Sequence, residues 1–281
     1  MPLVYRLEDY ARYRQEVGAA TVIDLTRRTD PARMPAAWER LGEILSHYGP
    51  PWVVQLWTKD VAGCLRLGGD VLRALVGMGT TITAQVTVTG LAGTPWEPRV
   101  PPDGWRALPH LAAIAGGPMH LKWRYDPIIP TVHTPETFCT IARRMASLGI
   151  TQGVINFIAP PGRYKRVDRR LKALLPAWGE GMRGYDAAWR LAIARELVAI
   201  AAEEGIALAC CAEYAALHAE VRGLGRAACG DYDWFVRLSG RDPGCQPYRG
   251  SRPGCGCARY FDIGSYGRWA RCHRCVYCYA G

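Results

Sequence analysis

Apolar runs rich in β-branched residues alternate with helix-like stretches over the first 222 residues, and this alternation limits the possible folds more than any other feature. TVIDL (21–25), WVVQLW (52–57), TITAQVTV (81–88), MHLKWRY (119–125), GVINFI (153–158) and IALACC (206–211) have the length and composition of buried strands. Between them lie PAAWERLGEILSHY, DVLRALVGM, a stretch around WRALPHLAAIAG, PETFCTIARRMASLG and AAWRLAIARELVAIAAEEG, whose apolar residues recur three and four apart. The last two stop at glycine, as a helix capped by a left-handed residue does. Strands and helices in strict alternation predict a parallel sheet, either open and doubly wound or curled into part of a barrel. Right-handed crossovers favour neighbours in sequence, so the expected fold is α/β, a partial (βα)6 TIM-like barrel over residues 1–222.

From about residue 223 the pattern changes. Gly and Pro rise, helical periodicity fades, and RDPGCQPYRGSRPGCGCARYFDIGSYGRWARCHRCVYCYAG packs six of the chain's eleven cysteines into 41 residues. A segment so poor in regular structure needs ligands to hold it, and residues 223–281 are expected to form an irregular, Cys-rich iron–sulfur segment folded over the barrel mouth. The opening MPLVYRLEDYARYRQE is charged where a secretory signal would be apolar, and there is no run of eighteen apolar residues. The expectation is therefore a soluble cytoplasmic protein without membrane attachment, in which cysteines serve metals and not disulfides. A net charge of +10 raises the prospect of an anionic partner, nucleic acid included, although the densest basic stretch, GRYKRVDRRLK at 162–172, also suits a solvated helix face.

In parallel α/β folds chemistry gathers at the carboxyl ends of the strands. Those ends carry Arg27, Arg28 and Asp30 after the first strand, Thr58 and Lys59 after the second, and Thr87 on the third. Arg124 and Asp126 follow on the fourth, Asn156 on the fifth, and Cys211 with Glu213 on the sixth. Beyond them, Cys272, Cys275 and Cys278 stand three apart in ARCHRCVYCYAG. Three thiolates so spaced can hold three irons of a cubane cluster and leave the fourth open, and they equally suit tetrahedral zinc.

The ending CGC, then DIGSY, then a three-cysteine motif closing in YCYA resembles the signature of an uncharacterised bacterial family, the domain of unknown function 1848. TRRTDPA (26–32), WTKD (57–60), KWRYDPII (122–129) and CAEY (211–214) extend the resemblance over nearly the whole chain. That family is in turn similar to radical SAM enzymes related to spore photoproduct lyase, through the order WTKD, TVTGLAGTPWEPRVP and WRYDPIIP. In those relatives the cysteine motif usually comes first and is spaced CxxxCxxC; here it comes last, as in a circular permutation, with one residue fewer between Cys272 and Cys275.

The resemblance implies an enzyme that uses a 4Fe–4S cluster on Cys272, Cys275 and Cys278 to cleave S-adenosylmethionine reductively to a 5′-deoxyadenosyl radical. It implies cofactor contacts from Thr58, Lys59, Thr87 and Tyr277, with Lys59 on the methionine carboxylate, and an external electron donor such as ferredoxin or flavodoxin. Arg27, Arg28, Asp30, Arg124 and Asp126 become candidates for catalysis on an unidentified substrate. The family pattern also selects Cys211, Cys229, Cys255 and Cys257, four ligands for a second 4Fe–4S cluster or a zinc ion. Cys64, Cys139, Cys210 and Cys245 are left as spares, and His273 is a loop residue or a substitute ligand. Two other readings remain: a nucleic-acid-binding protein stabilised by a cluster or zinc, and a two-cluster electron-transfer protein.

Overall fold

The computed structural model describes residues 6–179, 186–211, 215–245, 247–248, 255–265 and 272–279. Its strands are β1 (Val22–Leu25), β2 (Val53–Thr58), β3 (Thr81–Thr87), β4 (Leu121–Ile128), β5 (Gln152–Phe157), β6 (Ala207–Cys211), β7 (Gly225–Ala227) and β8 (Phe261–Asp262). Its helices are α1 (Leu7–Val17), α2 (Pro35–Tyr48), α3 (Val61–Gly77), α4 (Leu108–Ala115), α5 (Pro135–Ser147), α6 (Lys165–Leu174), α7 (Ala187–Glu203), α8 (Ala215–Glu220) and α9 (Tyr232–Ser239). The six expected strands appear as β1 to β6, all parallel and in consecutive order, as the crossover argument requires.

Two features differ from the expectation. The sheet has eight strands in the order β7-β6-β5-β4-β3-β2-β1-β8, and among the described residues β7 and β8 do not pair with each other, so the sheet is open. A closed or partly closed TIM-like barrel is not what the strand pairing describes. The Cys-rich segment is also less irregular than its composition suggests: it supplies β7, which extends β6, and β8, which pairs with β1. Both strands are too short for a periodicity to reveal. The helix α9 starts at Asp231, whose carboxylate accepts from Trp234 N.

Side chains that alternate along the strands give the sheet two unlike faces. Ile23, Leu25, Val54, Leu56, Ile82, Ala84, Trp123, Tyr125, Ile155 and Cys210 lie on the helix-covered side, in one large apolar core with residues of α1 to α5 and α7. Cys64 belongs to the same core, while Cys245 is exposed.

The opposite face carries Asp24, Gln55 and Trp57, Gln85, Lys122 and Arg124, with Cys211 in register beside Ala227. Near the amino ends of the strands it is apolar, where Trp234 and Phe235 of α9 pack on Val22, Trp52 and Val53. Farther along it is polar. Trp57 Nε1 and Gln55 Nε2 donate to Asp24 Oδ1 (3.1 and 2.9 Å), Gln85 Nε2 donates to Gln55 Oε1 (3.3 Å), and Arg124 Nη1 donates to Gln85 Oε1 (2.8 Å). This ladder crosses four strands and gives buried polar groups partners that water cannot supply.

Candidate metal centres at two ends of the polar face

The first centre surrounds residues 272–279, which lie against the loops following β1, β2 and β3. His273 is buried and engaged at both ring nitrogens: Nε2 meets Asp30 Oδ2 at 2.8 Å and Nδ1 meets the Arg99 carbonyl at 3.0 Å. His273 therefore acts as a clasp, with both ring nitrogens engaged. Asp30 completes the clasp by accepting from Thr58 Oγ1 (2.8 Å) and Lys59 N (2.7 Å). Burial pushes the Asp30 carboxyl up, but the His273 bond and charge outweigh it and hold it below the ordinary value; burial lowers His273, and Asp30 more than reverses this. Val276 N also bonds the Trp96 carbonyl (3.0 Å), Arg170 Nη2 bonds the Cys278 carbonyl, and Val276 and Tyr277 pack on a small core with Ile129, Ile158 and Trp178.

Inside this clasp Lys59 Nζ pairs with Glu97 Oε1 at 2.8 Å, Thr89 Oγ1 donates to the same oxygen at 2.8 Å, and the Tyr277 hydroxyl donates to it as well. The Lys59 ammonium lies 5.6 Å from the Tyr277 ring centroid. Burial raises the thiol of Cys275 to about 12, opposed by the Lys59 charge, and both Cys272 and Cys278 act on it electrostatically. Cys275 is thus buried beside Lys59, with the part-buried Cys272 and Cys278 close enough to act on it. Thr87 ends β3 in register with Arg124.

The second centre lies where the loop after β7 meets the polar face. Gln55 Nε2 and Gln85 Nε2 both donate to the Cys229 carbonyl, at 2.9 and 3.0 Å. Cys257 Sγ accepts from Cys229 N at 3.1 Å and from Cys255 Sγ at 3.0 Å. Its hydrogen bond from the Cys229 thiol lowers the Cys257 thiol; the same bond, and then burial, pushes Cys229 well up. Cys229, Cys255 and Cys257 are thus brought together, and Cys211 faces the same side of the sheet. In tetrahedral zinc with bonds of about 2.3 Å, ligand sulfurs lie about 3.8 Å apart, so loading a metal here would open the Cys255–Cys257 contact. Among the described residues no three His, Cys, Asp or Glu side chains form a preformed metal site, and either centre would close only on its metal.

The substrate candidates are built into ion pairs. Arg27 pairs with Asp24, Arg124 Nη2 with Asp126 Oδ2 at 2.5 Å, and Arg28 approaches Asp262 to 3.6 Å. Asp30 belongs to the His273 clasp. Burial, and next the neighbouring Asp24 charge, raises the Asp262 carboxyl to about 6. Sequence reasoning missed Glu97, Asp24, Gln55, Gln85 and Lys122, which pairs with Asp231 at 2.6 Å. Their common signal was a single polar residue inside each apolar strand run; Glu97 had only its place in EPRVP. Glu213 and most of CAEY fall outside the described residues.

A family model described as a domain of unknown function (DUF1848) matches residues 49–280, starting after TRRTDPA and covering the cysteines of both centres. No curated protein matches the chain.

Proposed function

The chain belongs to that family, and from this premise we propose that it is an iron–sulfur enzyme of the radical S-adenosylmethionine kind. Its substrate is unidentified and of anionic or nucleic-acid character. The observation that carries the reading is that Cys275 lies beside Lys59 and is acted on electrostatically by Cys272 and Cys278, next to the loops that follow β1 to β3. A cluster on these cysteines, with S-adenosylmethionine on its open iron, supplies one-electron cleavage to a 5′-deoxyadenosyl radical. The donor set fits, because His273 is committed to Asp30 and leaves three thiols as the protein ligands.

Lys59 and Glu97 suit the amino-acid end of the cofactor. A zwitterion carries one carboxylate and one ammonium, and an ion pair presents the complementary charges: Lys59 would take the carboxylate and Glu97 the amino group. The Tyr277 hydroxyl holds Glu97 in place for that contact, and Thr58 fixes Asp30 behind it. Arg28 and Asp126, both half-buried on the polar face, are the substrate contacts, with Arg27, Arg124 and Asp30 acting through their ion pairs. Cys211, Cys229, Cys255 and Cys257 hold the second cluster, and an external donor such as flavodoxin or ferredoxin reduces the protein.

Anaerobic reconstitution should give about eight irons and a matching sulfide count per chain. Adding S-adenosylmethionine should perturb the paramagnetic resonance spectrum of the reduced protein and release 5′-deoxyadenosine slowly. Lys59→Ala should weaken cofactor binding without changing the iron count. Two clusters with no response to S-adenosylmethionine would leave electron transfer as the function; zinc in place of iron would leave the binding-protein reading.

A further inference from the structure

A different kind of group stands beside the second centre. Arg27 extends from the end of β1 across the polar face. Its Nε pairs with the Asp24 carboxylate, and its guanidinium carbon lies over Tyr260, 3.5 Å from the ring centroid, with Trp57 at 4.9 Å. Stacking and the ion pair together fix the plane of the fork. The side chain as a whole is 17% exposed, yet Nη2 is shut off from solvent and has no hydrogen-bond partner among the described residues.

That nitrogen points at a defined place. A Cβ built on Gly230 would lie 3.5 Å from Arg27 Nη2, and Gly230 directly follows Cys229. The next contacts of that position are the carbonyl and nitrogen of Ala258, at 3.1 and 3.7 Å, and Ala258 directly follows Cys257. Arg27 therefore ends between the two chain segments that carry the thiols. Both Cys229 and Cys257 act electrostatically on it. Arg124 offers a contrast within the same face. It too lies over Trp57, at 5.1 Å, but Gln85 accepts from its Nη1 and Asp126 from its Nη2.

We infer that Arg27 is the cationic hydrogen-bond donor of the Cys229–Cys255–Cys257 centre, its free Nη2 meeting cluster or cysteine sulfur; the inference rests on the reading of that centre as a cluster site. A buried donor without an acceptor costs roughly 1–3 kcal/mol, and sulfur ligands at this centre provide the acceptor. A cation and a donor beside a cluster favour its more negative, reduced form and raise its reduction potential. Arg124, with its fork already committed, contributes charge alone.

The test compares reduction potentials in the full chain, reconstituted anaerobically and titrated with paramagnetic resonance detection. Arg27→Gln alone leaves Asp24 buried and uncompensated, which threatens folding. The double variant Arg27→Gln/Asp24→Asn removes both charges and keeps hydrogen-bonding groups for Gln55 and Trp57. It should retain the wild-type iron count while the potential of one cluster falls by about 59 mV, a tenfold change for a one-electron couple. The other cluster should not move, and Arg124→Gln should shift the first by less than the double variant does. If both clusters form and neither potential changes in the double variant, Arg27 is not the donor, while the cluster reading stands. If the wild-type chain carries a single cluster, or zinc at Cys229, Cys255 and Cys257, the cluster reading of that centre fails and the inference goes with it.

Discussion

The two cysteine groups are held by opposite means. Residues 272–279 are anchored through everything except their thiols: a histidine, two backbone bonds, an arginine on a carbonyl and a small apolar cluster. Cys229, Cys255 and Cys257 are stapled sulfur to sulfur and sulfur to backbone, on a loop fixed by two glutamines. The charges differ in the same way. The first group has a carboxylate, Asp30, held below its ordinary value; the second lies beside Asp24 and Asp262, both held above theirs. A segment anchored apart from its thiols can bind or release a cofactor and keep its position. A segment whose thiols are its anchors gains order from a metal and loses it with the metal.

Asp30→Ala should break this contrast most severely. It strips His273, Thr58 and Lys59 N of a shared acceptor and leaves a buried histidine with the Arg99 carbonyl alone, a loss of about 3–5 kcal/mol in urea unfolding. The cysteines of the second centre should keep their protection from thiol reagents in that variant. Equal exposure of both groups would show that the two anchors are one.

A pH titration separates the centres by sign. Asp262 binds its proton more tightly folded, about 6, than at its ordinary 3.8, so this group stabilises below pH 4 and loses that contribution as pH rises to 6. The difference amounts to roughly 3 kcal/mol, and Asp24, also raised, adds in the same direction. Asp262→Asn should flatten that limb of the stability curve. Asp30 works the other way, its contribution present above pH 4 and lost as pH falls through its lowered value. A limb that survives Asp262→Asn would assign it to Asp24.

Gln85→Leu removes one of two donors to the Cys229 carbonyl and the acceptor of Arg124 Nη1. About 1–2 kcal/mol of stability should be lost, with faster metal release from the second centre only. The smallest effect belongs to Tyr279, stacked on Tyr164 at 5.6 Å but 59% exposed. Tyr279→Ser should cost about 0.5 kcal/mol, visible as quicker amide exchange in residues 275–279 and not in global unfolding.

Much of the scaffold could be read before it was seen. α2 spans Pro35–Tyr48, the same residues as the quoted PAAWERLGEILSHY, because its apolar period, starting proline and closing glycine agree. WTKD pointed to Thr58 and Lys59 because chemistry collects after strands. Glu97 stayed hidden because its partner is 38 residues away, and long-range pairing leaves no local trace. Asp24, Gln55 and Gln85 stand in otherwise apolar runs, yet on the sheet Asp24 is in register with Gln55, and Gln85, two residues farther along β3, continues the chain of hydrogen bonds. The two edge strands were not legible either, since β7 and β8 take their place from tertiary contacts. His273 was read from the spacing of its cysteine neighbours, and only Asp30, 243 residues earlier, gives it a role.

The pairing of β8 with β1 has a consequence for biosynthesis. As the polypeptide leaves the ribosome, β1 emerges early, pairs with β2, and then waits with its other edge bare while some two hundred further residues are made. An unpaired edge invites strand addition from other chains. Tyr10 and Tyr13 of α1 lie against the place that Phe261 later fills, Tyr10 edge-on at 5.1 Å, so the nascent chain holds an apolar cradle there in the meantime. Chains released before residue 261 keep that edge bare and are the species expected to meet chaperones and proteases.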